Sequence, residues 1–257
     1  ITRKRTAEFV YSLSSFLSNC KNKSNVECVF CVDDDDYETL ETIKRIHPMI
    51  VQTGIDYKVI TTERFGYFHI YKYQNLIAEQ TDGDVIIYVS DDMFCSTSGW
   101  DEILVDSVLP HLNEPLLIMT QPVEDRGKFW PTMPSINRKW FEITKRVSTW
   151  TGSDVYLAWL AQDAGIKVIK PDYEVHQLSR FYSNEKDNWS IIDETHEEGR
   201  GRAIKGGPGN ENLLVKGGKE GKDYQQDLNN LLNWRNNEKN ERYCYILYGC
   251  RCWVYSY

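Results

Sequence analysis

Residues 85–92 read VIIYVSDD, a run of apolar and mostly β-branched residues that ends in two adjacent carboxylates. The apolar part predicts a buried β-strand over residues 85–89. Two neighbouring carboxylates repel each other, and a strand that only filled a core would end more favourably in Gly, Asn or a single Asp. A bound cation would remove the repulsion between Asp91 and Asp92, so the stretch predicts a metal site; a solvated acidic turn is the alternative.

Strands and helices alternate on both sides of this stretch. The predicted strands span residues 26–32, 57–61, 85–89, 116–120, 166–170 and 173–177. The predicted helices have apolar side chains at helical spacing and span residues 37–47, 67–80, 100–109, 139–147, 153–164 and 223–240. Residues 121–138, with three prolines, are predicted to be irregular. The alternation predicts an α/β architecture with a mostly parallel, Rossmann-like central sheet flanked by helices.

A second acidic run, residues 33–36, follows the predicted strand 26–32. Ligands of open α/β sheets bind beyond the carboxyl ends of the strands, so both acidic runs are expected at one rim of the sheet. Asp35 and Glu38 have the spacing of a helix capping box. Mg²⁺ and Mn²⁺ bind through one or two carboxylates together with substrate phosphates, which makes Asp91 and Asp92 a candidate seat for a metal–diphosphate.

Composition weighs against several classes of protein. A net charge of −8 over 257 residues argues against a general nucleic-acid binder, which needs Lys and Arg to neutralise phosphates. No apolar run reaches the roughly 18 residues of a membrane span, and no signal peptide is visible. The seven Cys form no disulfide or zinc-finger pattern, and Cys28 and Cys31 would point to opposite faces of a strand. We therefore expect a cytoplasmic protein.

Composition also divides the chain into three parts. Residues 1–197 carry the alternating pattern and predict one α/β domain. Residues 198–222 are Gly-rich and charged, which predicts a flexible loop or linker. Residues 223–257 predict a polar helix and an aromatic tail, to which the sequence assigns no role.

The order of short motifs resembles the GT-A fold family of nucleotide-sugar-dependent glycosyltransferases, in particular its inverting, family 2-like members. The resemblance covers roughly residues 2–180. The matching motifs are TRKR at 2–5, VDDDD at 32–36, VSDDM at 89–93, GWD at 99–101, GSDVYL at 152–157 and the V-x-H that ends at His176. Ser90 stands where many members have a third Asp. The first strand of that fold is absent or reduced to Ile1, so we expect further residues before Ile1 in the intact protein.

The resemblance implies roles for individual residues. The donor nucleotide would be bound by Thr2, Arg3, Asp33, Asp34 and Asp91. The polar side of the predicted helix 67–80 adds Asn75 as a candidate donor contact, with a solvated helix face as the alternative. Asp91, Asp92 and His176 would hold the metal, Mn²⁺ or Mg²⁺, and Asp154 would be the catalytic base. Sugar rings pack well on aromatic faces, so Trp130 and Trp140 are candidates for acceptor binding, with core filling as the alternative. Asp154 alternatively complements the positive end of its helix.

The predicted function is transfer of a sugar from a nucleotide-diphosphate sugar, UDP-sugar being favoured, to a hydroxyl acceptor that is a glycan or a small molecule. The metal would neutralise the leaving diphosphate, and a carboxylate would take the proton of the acceptor hydroxyl. Three alternatives stay open. They are a sugar-1-phosphate nucleotidyltransferase, a non-catalytic nucleotide- or sugar-binding protein on the same fold, and an enzyme with a nucleic-acid acceptor.

Overall fold

The structure is a computed structural model that describes residues 5–123, 126–127, 131–150, 152–178, 219 and 221–247. The helices of these ranges are α1 (Thr6–Asn19), α2 (Tyr37–Thr53), α3 (Ile70–Glu79), α4 (Trp100–Val108), α5 (Arg138–Thr144), α6 (Ser153–Ala164) and α7 (Lys222–Leu247). The strands are β1 (Glu27–Asp33), β2 (Asp56–Thr62), β3 (Val85–Ile87), β4 (Met93–Cys95), β5 (Leu116–Thr120), β6 (Met133–Asn137), β7 (Lys167–Ile169) and β8 (Val175–Gln177).

The strands form three hydrogen-bonded groups, in the orders β1-β2, β3-β6-β5-β7 and β4-β8. β1 is parallel to β2, and β5 is parallel to β7, whereas β6 runs antiparallel to both of its neighbours. The predicted α/β class is confirmed, and the sheet is mixed. β6 lies inside the stretch 121–138, which was predicted to be irregular. Pro134 and its polar neighbours do not show the apolar alternation typical of a strand, yet the backbone of β6 pairs with both β3 and β5.

Two hydrophobic clusters cover the opposite faces of the sheet. Phe30 of β1 and Ile118 of β5 pack in one cluster with α1, α2 and α4. Cys31 of β1 and Leu117 of β5 pack in the other cluster with α3, α5, α6 and α7. Successive side chains of a strand point to opposite faces. β1 and β5 each have residues in both clusters, so these strands lie in one layer between two layers of helices. Cys28 also lies on the face opposite Cys31, as predicted, and both are free thiols.

Two helix ends differ from the sequence-based expectation. Asp36, not Asp35, caps α2: its carboxylate accepts from the backbone N–H of Thr39 (3.3 Å) and from Thr39 Oγ1 (2.6 Å). α2 then continues past the predicted end at residue 47, through Pro48, to a left-handed Gly54 with φ 76°. α6 ends as predicted, at left-handed Gly165 with φ 63°.

The C-terminal helix is part of the same core. α7 packs on α5 and α6, and its Tyr224 and Leu231 are buried in the second cluster. Of the predicted linker, residues 198–218 and residue 220 lie outside the described residues, as do tail residues 248–257. Within the described ranges, no helix combines the length and the hydropathy needed to cross a membrane.

A buried polar network joins α7 to the domain. Tyr156 Oη donates to Asp227 Oδ2 (2.8 Å), and Arg146 Nε donates to Asp227 Oδ1 (3.0 Å). The carboxyl group is fully buried, and this burial raises the pKa of Asp227 from 3.8 to about 6 despite both hydrogen bonds. Ionised Asp227 is therefore less favourable in the folded chain than in the unfolded chain.

Replacing Asp227 with Asn removes this titration. A carboxyl group whose pKa is raised on folding stabilises the fold only while it is protonated. The free energy of unfolding of the unaltered protein, minus that of D227N, should therefore fall by up to roughly 3 kcal/mol between about pH 4 and pH 6. Urea unfolding at four pH values measures this difference. D223N, which alters the exposed partner of Arg146 on the same helix (3.4 Å), is the matched control. If this free-energy difference changed equally with pH for D223N and for D227N, the raised pKa would not belong to Asp227.

Candidate active site

Asp91 and Asp92 lie in a tight turn between β3 and β4, which we call the acidic turn (Ser90–Met93). The backbone N–H of Met93 donates to the carbonyl oxygen of Ser90 (3.1 Å), so the two carboxylates occupy the central positions of the turn. β3 ends at Ile87, two residues earlier than predicted. Asp91 is only 7% exposed and Asp92 only 8% exposed. Two adjacent carboxylates are thus buried together, which requires a separate source of stabilisation for each.

Arg5 neutralises Asp91. Its Nη1 lies 2.7 Å from Asp91 Oδ1, and both side chains are at least nine-tenths buried. Arg5 precedes the first residue of α1, which is fixed to the same region because Ser15 Oγ accepts from the backbone N–H of Cys95 (3.0 Å). The ion pair therefore joins the start of α1 to the acidic turn. Arg5 belongs to the quoted motif TRKR, but no local signal in the sequence pairs it with Asp91.

Asp92 is held by the end of β8. Gln177 Nε2 donates to Asp92 Oδ2 (2.9 Å), and the backbone N–H of Leu178 donates to the carbonyl oxygen of Asp92 (2.7 Å). Asp92 Oδ1 is buried and has no hydrogen-bond partner among the described residues. A buried carboxylate oxygen without a partner is costly, and it is the kind of ligand that Mg²⁺ and Mn²⁺ prefer. The acidic turn therefore fits a hard divalent cation.

The structure does not bring His176 to the acidic turn. Its ring stacks on Phe94, with 5.0 Å between the ring centroids, and its Nε2 lies 3.2 Å from Ser96 Oγ. Successive strand residues face opposite sides, so Gln177, the next residue of β8, reaches Asp92 instead. Among the described residues, no three His, Cys, Asp or Glu side chains are grouped as a metal site. The described chain thus offers two carboxylates, and a bound diphosphate would supply further oxygens.

The other acidic run contributes one buried carboxylate to the same rim. Tyr73 Oη donates to Asp33 Oδ1 (2.5 Å) and accepts from the backbone N–H of Phe65 (2.8 Å). Burial raises the pKa of Tyr73, which keeps its hydroxyl protonated as a donor. Asp34 is exposed, and its backbone N–H bonds the carbonyl oxygen of Thr62 (2.8 Å). Asp33 and Asp34, predicted to act together, therefore occupy different environments.

Asn75 makes a structural contact. Its amide nitrogen donates to the carbonyl oxygen of Ser148 (2.8 Å), and its amide oxygen accepts from the backbone N–H of Val147 (2.7 Å). The neighbouring Gln74 faces the site instead: it is buried, and its Oε1 has no hydrogen-bond partner among the described residues. Thr2 and Arg3 lie outside the described residues.

These groups share one cavity of about 1340 Å³. The polar side chains along it are Arg5, Asp33, Tyr73, Gln74, Asp91, Asp92, Asp154 and Gln177. Asp154 stands in the first turn of α6, after Gly152 and Ser153. The structure thus brings Asp154, Asp33 and the acidic turn to a single cleft. A cation at the acidic turn and a carboxylate at Asp154 would then face one bound ligand.

The aromatic side of the cleft differs from the predicted one. Trp140 is fully buried in the second cluster and fills the core, so it does not line the cleft. Trp130 lies outside the described residues. Trp150, which the sequence analysis missed, is half-buried, lines the cavity and stacks on Trp159 with ring centroids 5.8 Å apart. Its place beside the GSD motif at 152–154 is the signal that could have identified it.

Replacing Gly152 with Ala should displace Trp150, because the added Cβ would lie 2.6 Å from that indole ring. We expect G152A to lose about 1–3 kcal/mol of unfolding free energy and to shift the tryptophan emission. The matched control is G83A, whose Cβ would meet only a carbonyl oxygen at 3.5 Å. In the W150A background the G152A change should cost less, since the two residues are in contact. Additive effects in the double variant would show that Trp150 does not occupy this position.

Comparison with known proteins gives solved structures of similar fold. No family model matches the sequence, and no curated protein matches it. S. aureus TarS has a TM-score of 0.53 and 15% identity over 69% of this chain and 36% of the TarS chain. TarS 1–349 gives a TM-score of 0.52 and 13% identity over 93% of this chain and 90% of that chain. The mannosyltransferase PcManGT from Pyrobaculum calidifontis, in complex with GDP-Man and Mn²⁺, has a TM-score of 0.54 and 12% identity over 90% of this chain and 67% of that chain.

Structural similarity at such low sequence identity shows the fold alone. The chemistry has to be argued from the residues of the site. The chain spans 36% of the full TarS chain, and thus corresponds to part of that protein. The neighbours are glycosyltransferases of the GT-A type, and the sheet with helices on both faces agrees with them. The chain has the GT-A fold, as its motif order predicted.

Proposed function

We propose that this chain is a metal-dependent glycosyltransferase that moves a sugar from a nucleotide-diphosphate sugar to a hydroxyl acceptor. One observation carries the proposal: two adjacent buried carboxylates line the same cleft as Asp154, and Asp92 Oδ1 has no hydrogen-bond partner among the described residues. The neighbour solved in complex with GDP-Man and Mn²⁺ supports a nucleotide-sugar donor and a divalent metal. UDP-sugars and GDP-sugars are therefore the first donors to test.

We assign the metal, Mn²⁺ or Mg²⁺, to Asp92 with the help of Asp91. When bound, such an ion neutralises negative charge on the leaving diphosphate. Gln177 fixes the orientation of the Asp92 carboxylate, as outer partners of metal ligands commonly do. Arg5 holds Asp91 in the turn, at the rim where a diphosphate would lie.

We assign the proton transfer to Asp154. The acceptor hydroxyl oxygen forms a bond to the anomeric carbon, and the bond from that carbon to the diphosphate oxygen breaks. The nucleoside diphosphate leaves with the bonding electrons, and the hydroxyl proton passes to the Asp154 carboxylate. A single attack from the face opposite the leaving group inverts the anomeric configuration, so the product should have the opposite anomeric form from the donor.

The nucleotide and the acceptor would occupy opposite ends of the cleft. On the nucleotide side we assign Asp33, oriented by Tyr73, with Gln74 rather than Asn75 as the amide that faces the donor. Thr2, Arg3 and Asp34 stay predictions for this side. On the acceptor side we assign Trp150, whose indole lines the cleft near Asp154 and offers an apolar surface to a sugar ring.

Release of the nucleoside diphosphate from a panel of UDP- and GDP-sugars, with Mn²⁺ or with chelator, tests the proposal. We expect metal-dependent release with at least one donor, and loss of the metal dependence in D92N. D154N should keep metal-dependent nucleotide binding but lose about 100-fold or more in transfer, because a general base contributes rate and not affinity. D106N changes an exposed Asp of α4 outside the cleft and should keep full turnover.

Three results would refute the assignment. Nucleotide release by the unaltered protein that is as fast in chelator as in Mn²⁺ would remove the metal role. Metal-dependent nucleotide binding without release from any donor would identify a binding protein, and incorporation of a sugar 1-phosphate into a nucleotide-sugar would identify a nucleotidyltransferase.

A further inference from the structure

The Trp150 indole, which lines the cleft, is supported by a second indole. Trp159 of α6 stacks on it with ring centroids 5.8 Å apart and ring planes 11° apart, and both side chains are half-buried. Parallel, offset rings are one of the arrangements that aromatic pairs prefer. Within the described chain, Trp150 lines the cleft and Trp159 does not. Trp159 therefore contacts Trp150 from the side away from the cleft.

Trp159 is in turn held by residues in and next to α7. Lys219 Nζ lies 5.8 Å from the centroid of the Trp159 ring, within the range of a cation–π contact. The same Nζ pairs with Asp163 Oδ1 (2.8 Å), and Asp163 Oδ2 accepts from Tyr224 Oη (2.7 Å). Tyr224 is buried in the second cluster. These contacts leave Trp159 little room to move away from Trp150.

The backbone of Trp150 is fixed by the buried Ser148. Ser148 Oγ donates to the carbonyl oxygen of Trp150 and accepts from its backbone N–H, both at 3.0 Å. The backbone of Ser148 is held by Asn75 of α3, whose amide nitrogen donates to the Ser148 carbonyl oxygen (2.8 Å). The next side chain of α3, Gln74, lines the cleft. The position of Trp150 is therefore set relative to a helix that contributes to the same cleft.

The surroundings of the Trp150 indole combine an apolar ring with polar side chains. Ser153 and Asp154, in the first turn of α6, line the same cleft. A pyranose presents an apolar face of C–H groups and a rim of hydroxyl groups, so it can cover the indole while its hydroxyls meet the polar side chains. An alkyl chain would cover these side chains without hydrogen bonds, which is unfavourable. The surroundings of Trp150 therefore fit a sugar ring better than a lipid chain.

We propose that Trp159 and Ser148 are positioning residues that hold the Trp150 indole as a preformed platform for a pyranose ring of the acceptor. The acceptor is then a glycan or a glycoside, with its ring on Trp150 and one of its hydroxyl groups at Asp154. Binding groups that are held in place before the ligand arrives lose less entropy on binding. The role of this ring as the acceptor rests on the proposed function, whereas the supported indole follows from its own contacts.

Fluorine NMR of the protein labelled with fluorotryptophan tests the platform without turnover. W150F and W159F assign the resonances of the two indoles. The probes are methyl β-D-glucopyranoside, methyl β-D-galactopyranoside and methyl α-D-mannopyranoside, with glycerol and hexanol as hydroxyl compounds that lack the ring, and UDP or GDP with Mn²⁺ is present throughout. We expect at least one pyranoside, and neither glycerol nor hexanol, to shift the Trp150 resonance. W159L should shift and broaden that resonance before any probe is added.

Kinetics with the pyranoside that shifts the resonance measure the positioning role. W159L should raise the KM for this acceptor by roughly threefold to tenfold with kcat unchanged, because loss of the stacked partner weakens binding of the ring in the ground state and the transition state alike. W159F keeps an aromatic ring and should recover most of the loss, and S148A should raise the same KM. W234L alters a half-buried Trp of α7 outside the cleft and, as the matched control, should leave the KM unchanged.

Three results would overturn the platform. They are an equal acceptor KM for W159L and the unaltered protein, a Trp150 resonance that hexanol shifts and the pyranosides do not, and a Trp150 resonance that no probe shifts. The fate of the proposed function is measured separately. A response of Trp150 to pyranosides without nucleotide release from any donor would refute sugar transfer and still support the platform.

Discussion

The buried ion pair between Arg5 and Asp91 is the contact on which the site depends. Nη1 and Oδ1 lie 2.7 Å apart, and the two side chains are nearly excluded from solvent. Removing one partner of such a pair leaves an uncompensated buried charge, which typically costs 3–5 kcal/mol. The pair also connects distant parts of the chain, since it places the start of α1 against the turn that follows β3. Asp92 can be buried beside Asp91 because Arg5 has already cancelled one of the two charges.

The two acidic residues of the turn are therefore not equivalent. Asp91 has a fixed cationic partner, whereas Asp92 has one oxygen bonded to Gln177 and one oxygen with no hydrogen bond in the described chain. A site selected for stability alone would pair that oxygen, because an unsatisfied buried acceptor costs about 1–3 kcal/mol. The asymmetry supports the division that we propose, in which Asp92 is the main metal ligand and Asp91 organises the turn around it.

Residue patterns within short segments predicted the strands and helices whose formation depends on those segments alone. The strand before Asp91 and the helix that starts at Ser153 follow from apolar periodicity and from Gly punctuation, and both are present. The sequence placed His176 at the turn, whereas its ring stacks on Phe94 and Gln177 reaches Asp92. Strand residues alternate, so a shift of one position exchanges the face that meets Asp92. The sequence left core filling open as the alternative for Trp140, because tertiary packing decides whether an indole is buried in the core.

The packing of α7 has a mechanical consequence for the cleft. α6 is about 18 Å long at 1.5 Å per residue, and it carries Asp154 at its first turn. At its other end, Arg235 of α7 donates to the carbonyl oxygen of Ala164 (2.9 Å), and its guanidinium lies so close to Gly165 that a side chain there would clash. α7 thus restrains the C-terminal end of the helix whose first turn carries Asp154. Loss of these contacts would remove one restraint on the position of that carboxylate.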